Sequence, residues 1–106
     1  MTDVDSVFAA LSDPTRRQVM RCLAEAPTTA TELARQIPVS RQAIAKHLIA
    51  LEEAGLVASD LDGRARCYRL TPGPLTDAMG WMADVGGEWD RRLAALRRHL
   101  RSDPAG

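Results

Sequence analysis

Hydrophobic positions at the start of the chain follow a helical rhythm. Val4, Val7, Phe8 and Leu11 recur at i, i+3, i+4 and i+7, which places them on one face of a short helix ending near Ser12. Asp13-Pro14 then reads as an N-cap followed by proline at the first helical position, where its missing N–H is not needed. The second helix runs to about Glu25 with Val19, Met20, Cys22 and Leu23 on its apolar side, and Pro27 stops it. Thr29-Ala30-Thr31-Glu32 has the spacing of a capping box, so a third helix starts there, turns Leu33, Ala34 and Ile37 inward and ends at Pro38. Ser40 caps a fourth helix from Arg41 to Ala54, closed by Gly55 as a left-handed C′ residue. Ile44, Leu48 and Leu51 form its buried stripe; the opposite side offers Arg41, Gln42, Ala45, Lys46 and, near the edge, His47.

After Gly55 the period shortens. Leu56–Ser59 and Cys67–Leu70 are strand-like runs around the Asp62-Gly63 hairpin signal, with a tip from Asp62 to Arg66. Thr71-Pro72-Gly73-Pro74 breaks the chain and opens a last helix to roughly Leu100, about 40 Å long at 1.5 Å per residue. Leu75, Met79, Met82, Gly86, Trp89, Leu93, Leu96 and Leu100 are spaced alternately four and three apart, a heptad-like seam. Asp77, Asp84, Glu88 and Asp90 precede Arg91, Arg92, Arg97, Arg98 and Arg101, the order that the helix macrodipole favours. Gly86-Gly87 within the helix either permits close approach of another backbone or marks a bend.

The predicted fold is therefore mainly α, in the order α-α-α-α-β-β-α: one winged helix-turn-helix domain over residues 1–101, a long C-terminal dimerisation helix, and a flexible tail at 102–106. A helix fits the major groove of double-stranded DNA while a hairpin tip reaches an adjacent groove or its phosphates. On this reading Arg41 pairs with guanine, Gln42 with adenine, Lys46 reaches a base or phosphate, and Ser40 and His47 touch the backbone. The plainer alternative is an ordinary solvated helix face. Arg64 and Arg66, two apart at the hairpin tip, share a strand face and suit phosphates or a narrow minor groove, or else serve as edge charges that block unwanted strand pairing. Arg16 and Arg17 approach phosphates, or are solvated or paired with Asp13.

The run Ala10-Leu11-Ser12-Asp13-Pro14-Thr15-Arg16-Arg17, the segment from Val39 to Val57 and the strand from Arg64 to Leu70 together resemble the ArsR-type family of bacterial repressors over nearly the whole chain. The resemblance implies a homodimeric winged-helix regulator on a near-palindromic operator. It places DNA contacts at Ser40, Arg41, Gln42, Lys46 and His47, and a wing at Arg64 and Arg66. It also makes an interface of the first and last helices, represented by Val4, Phe8, Leu11, Met79, Met82, Trp89, Leu93 and Leu96. The metal-sensing members have Cys-x-Cys in the helix that here reads Thr31–Ile37, and the last helix offers His99 as its one histidine. Neither a metal nor any other cofactor is expected, which points to the non-metal branch and leaves room for a small-molecule effector of unspecified identity.

Composition sharpens this picture. In 106 residues, 14 Lys and Arg balance 14 Asp and Glu, which at first argues against a phosphate-bearing partner. The balance conceals a division: residues 35–47 and 64–69 hold Arg35, Arg41, Lys46, Arg64, Arg66 and Arg69 without one acid. Brought to one side of a fold, they make a basic face on an otherwise acidic protein. No Ser/His/Asp order, Gly-rich phosphate loop or carboxylate cluster supports an enzyme. Two alternatives remain: a winged-helix protein-interaction module without DNA binding, and a regulator switched by oxidation of Cys22 or Cys67. Cys22 also reads as a small core side chain, and Cys67 as a strand residue facing the core. Met1–Asp5 has no basic or apolar leader character and no run is long enough to span a membrane, so the cytoplasm is the expected compartment.

Overall fold

A computed structural model describes residues 3–101; the expected tail at 102–106 lies outside the described residues. Five helices and a three-stranded sheet follow the order α1 (Val4–Leu11), α2 (Pro14–Glu25), β1 (Thr28–Thr29), α3 (Ala30–Gln36), α4 (Arg41–Glu53), β2 (Val57–Asp62), β3 (Ala65–Leu70) and α5 (Gly73–Arg101). Each short helix begins on the cap its sequence announces. The Asp13 side chain accepts from the N–H groups of Thr15 and Arg16, Thr29 from that of Glu32, and Ser40 from that of Ala43. At the end of α4, Gly55 adopts φ +75°, Gly55 N–H donates to Glu52 C=O and Leu56 N–H to Leu51 C=O, the paired bonds of a Schellman motif. Leu51 and Leu56, the hydrophobic pair that accompanies this motif, are both fully buried.

The core is one cluster. Val7 from α1, Val19 from α2, Leu33 from α3, Ile44, Leu48 and Leu51 from α4, and Leu56 behind it are completely enclosed. Tyr68, Leu70 and Leu75 close it from the sheet and the start of α5.

The sheet order is β1-β3-β2, antiparallel throughout. Both hairpin strands are longer than the alternation suggested, and β1 was not expected at all. Its two residues pair Thr28 with Tyr68 and Thr29 with Cys67, a partnership made in space rather than by local pattern. Asp62 stands opposite Ala65, so the hairpin closes on Gly63-Arg64 alone, with Gly63 at φ +64° as a II′ turn requires of its first central residue. Arg64 therefore sits in the turn, not on a strand face with Arg66.

α5 runs unbroken through Gly86-Gly87, and nothing stands within 4 Å of a Cβ added at Gly86. Its first turns dock on the body: Ala78 is buried, Leu75 touches the core, and Trp81 meets Phe8 edge-on at 5.7 Å between ring centroids. Phe8 and Leu11 rest against the core with part of each side chain still accessible. Beyond Trp81 the helix projects away, and the radius of gyration is 20.1 Å where a compact chain of this length has about 13 Å. Met79, Met82, Val85, Trp89, Leu96 and Leu100 are all exposed along it, and Leu93 is half-buried.

Candidate nucleic-acid interface

α3 and α4 are joined by a tight turn in which Val39 N–H donates to Ile37 C=O at 2.8 Å. Because Ile44, Leu48 and Leu51 are locked in the core, the rotation of α4 is set, and at about 100° per residue its outward face falls on Gln42, Ala45, Lys46 and Ile49. All four are exposed, as is Arg41 on the edge nearest the hairpin. The side chains of Arg41, Gln42 and Lys46 have no hydrogen bond or ion pair with any described residue. Glu52 and Glu53 mark the end of this basic and neutral stretch, and Glu52 is turned toward the hairpin, accepting from Ser59 Oγ at 2.7 Å.

The strand register sorts the hairpin's cations. Ser59 faces Tyr68 and Leu61 faces Arg66, so these side chains share one surface; Arg69, opposite Ala58, belongs to the other. On the first surface Arg66 Nη1 donates to Ser59 Oγ at 3.0 Å, extending the link from Glu52 and fixing the hairpin relative to α4. On the second, Arg69 forms an ion pair with Asp60. Arg64, at the turn, is exposed and has no polar partner among the described residues. Between the start of α3, α4 and the hairpin lies an open cleft of about 330 Å³ lined by Thr29, Thr31, Arg41, Ala45, Arg64, Arg66 and Tyr68. Three guanidinium groups line it and no carboxylate does. A phosphate strand could lie there.

Several expected cations are directed elsewhere. Arg35 pairs with Glu32 at 3.2 Å, an exposed i,i+3 pair. Arg16 and Arg17 reach back to the C=O groups of Ala9 and Leu11, at 3.3 and 2.5 Å, and brace the end of α1. His47 is half-buried on the flank of α4 that faces α2, where its Nδ1 accepts from Arg16 Nε at 3.4 Å. Burial pushes the Asp13 carboxyl up, but the N–H groups of Arg16 and Thr15 and the Coulombic pull of His47 and Arg16 outweigh that and hold it below its ordinary value.

Arg41, Lys46, Arg64 and Arg66 thus make up the cationic side, with Gln42 and Ser40 beside them. Ser40's hydroxyl is occupied as the cap of α4. Sequence reasoning passed over Thr29, Thr31 and Tyr68, which line the cleft where β1 and the start of α3 meet β3. It also passed over Ile49, although its position outside the Ile44-Leu48-Leu51 stripe was readable. Cys22 packs against the core and Cys67 is half-buried on β3; both are free thiols. Among the described residues no three His, Cys, Asp or Glu side chains converge to hold a metal ion, and no helix is long and apolar enough to cross a membrane.

A helix-turn-helix domain model matches residues 11–60. The chain is 36% identical over 99 residues to the HTH-type transcriptional regulator Rv2034 of Mycobacterium tuberculosis, covering 93% of this chain and 90% of that protein. The solved structure of an ArsR-like transcriptional regulator from Rhodococcus sp. RHA1 superposes with a TM-score of 0.83 at 47% identity, over 94% of each chain. The chain belongs to the ArsR family. It is a transcriptional regulator with a helix-turn-helix DNA-binding domain, and not an enzyme. The transcriptional repressor SdpR of Bacillus subtilis is 31% identical to it over 90 residues that span 85% of this chain and all of that one.

Proposed function

We propose that this ArsR-family chain is a homodimeric repressor that binds a near-palindromic operator in double-stranded DNA in the cytoplasm. Each subunit lays α4 in a major groove, with Arg41 and Gln42 at base edges, Lys46 at a base or phosphate and Ser40 beside the backbone. Arg64 and Arg66 hold the neighbouring phosphates. His47 supports this surface from the α2 side. The observation that carries the reading is the cleft between α4 and the wing, where Arg41, Arg64 and Arg66 converge without a carboxylate. The repressor's name among the relatives supports the direction of regulation.

Dimerisation rests on the uncovered face of α5. Met79, Met82, Trp89 and Leu96 stand exposed on a helix that the rest of the subunit does not cover, and a second copy would bury them together with Val4, Phe8, Leu11 and Leu93 near the same helices. Two recognition helices about 34 Å apart then meet successive major grooves. A small-molecule effector bound near the α1–α5 junction at Phe8 and Trp81 would weaken both contacts at once by changing that separation.

Sedimentation of the full chain, with anisotropy titration against duplexes selected from a random library, tests the reading. The expected result is a dimer that binds a two-fold-related sequence, with Trp89→Glu giving monomers that bind far more weakly. A monomer that binds equally well, or a dimer with no DNA affinity at low salt, would overturn it.

A further inference from the structure

We propose that Ile49, continued by Ala45, is a specificity-determining contact that reads the 5-methyl group of thymine in the major groove. The inference rests on α4 being the DNA-reading helix. Among the described residues, the large apolar side chains left exposed lie on α5, except for Ile49 and the wing residue Leu61. Ile49 is 56% exposed although it sits amid the face that carries Gln42, Ala45 and Lys46. It stands one turn beyond Ala45, so the two form a short apolar strip along α4, flanked by Arg41 on the wing side and Lys46 on the other.

Chemistry narrows the target. Neither Ile nor Ala can hydrogen-bond a base edge or neutralise a phosphate, so the strip contributes to binding only through apolar contact. In the major groove, the donors and acceptors of all four bases are polar, and the exposed apolar group is the thymine methyl. Arg41 and Lys46 at the margins bring the duplex to this face and set its register, while the strip discriminates within it. Ile49 stands seven positions beyond Gln42, about 10 Å along the helix or roughly three base steps.

A chemical substitution in the DNA isolates the methyl group. Duplexes selected from a random library are resynthesised with each thymine replaced singly by deoxyuridine, which removes the methyl and leaves pairing intact, and affinity for the full chain is measured. One thymine per half-site is expected to lose about fourfold on conversion to uracil, the effect of one buried methyl. It should lie about three steps from the base pair whose preference relaxes in Gln42→Ala. Ile49→Ala should bind the thymine and uracil duplexes alike, and Ile49→Val should retain part of the difference. Thermal melts of both variants report whether α4 still folds. Tight binding with no thymine sensitive to demethylation, or sensitivity that survives Ile49→Ala, overturns this contact while leaving DNA binding by α4 intact. Failure to select any duplex overturns both.

Discussion

Arg16 Nε donates to His47 Nδ1 at 3.4 Å, and the same guanidinium donates through Nη1 to Ala9 C=O at 3.3 Å. One side chain in the first turn of α2 thereby ties the end of α1 to the flank of α4.

Loss of this tie is expected to loosen α4 without removing a cation from the cleft. Arg16→Ala should destabilise the fold by about 1 kcal/mol, the net value of a hydrogen bond or two at a partly buried site. Adding His47→Ala should cost little more, because the partner is already lost. Urea unfolding of the two single variants and the double variant checks this, and full additivity would contradict the coupling.

Acid should act through the helix caps. Asp3, held low by its bonds to the Ser6 side chain and backbone, and Asp13 both titrate below the ordinary 3.8 in the folded protein. Their stabilising effect is complete above the unfolded value and fades as pH falls through the lower folded value. Asp13→Asn keeps a capping oxygen but not the charge, so its stability should depend less on pH below about 4 than that of the parent. Parallel pH titrations of the melting temperature measure the difference.

The two faces of the wing should behave differently toward DNA. Arg64→Ala removes an unpaired cation at the turn and is expected to flatten the salt dependence of log affinity by about 0.9 per subunit, nearly independently of sequence. Arg69→Ala breaks the ion pair with Asp60 on the opposite face and should leave that slope unchanged. Anisotropy titrations across a range of salt concentrations distinguish the two variants.

Gly55 tests the backbone at the joint between recognition helix and wing. A side chain at φ +75° is strained, and a Cβ there would stand 3.4 Å from Pro74 Cγ. Gly55→Ala should cost about 1–2 kcal/mol in a denaturant titration.

Much of this architecture could be read locally. Asp13-Pro14, Thr29-x-x-Glu32, Ser40 and Gly55 are caps, and capping is decided by residues within a turn of one another, so helix starts and stops were legible. The apolar period placed Ile44, Leu48 and Leu51 inside, and with them the outward face of α4. The long seam of α5 was equally plain, because 3.6-residue periodicity persists whether or not a partner is present.

The remainder depended on groups distant in sequence. Six bases in two acid-free segments were legible as a count, but only the strand register put Arg69 against Asp60 and left Arg66 on the cleft side with Arg41. Thr28 and Thr29 became a strand because β3 offered an edge, and His47 turned toward α2 because Arg16 lies there. Local rules determined which elements form and which faces are apolar, since caps and periodicity act over a few residues. Which cations remain free for a partner was decided by tertiary structure, since a charge is satisfied by its neighbours in space.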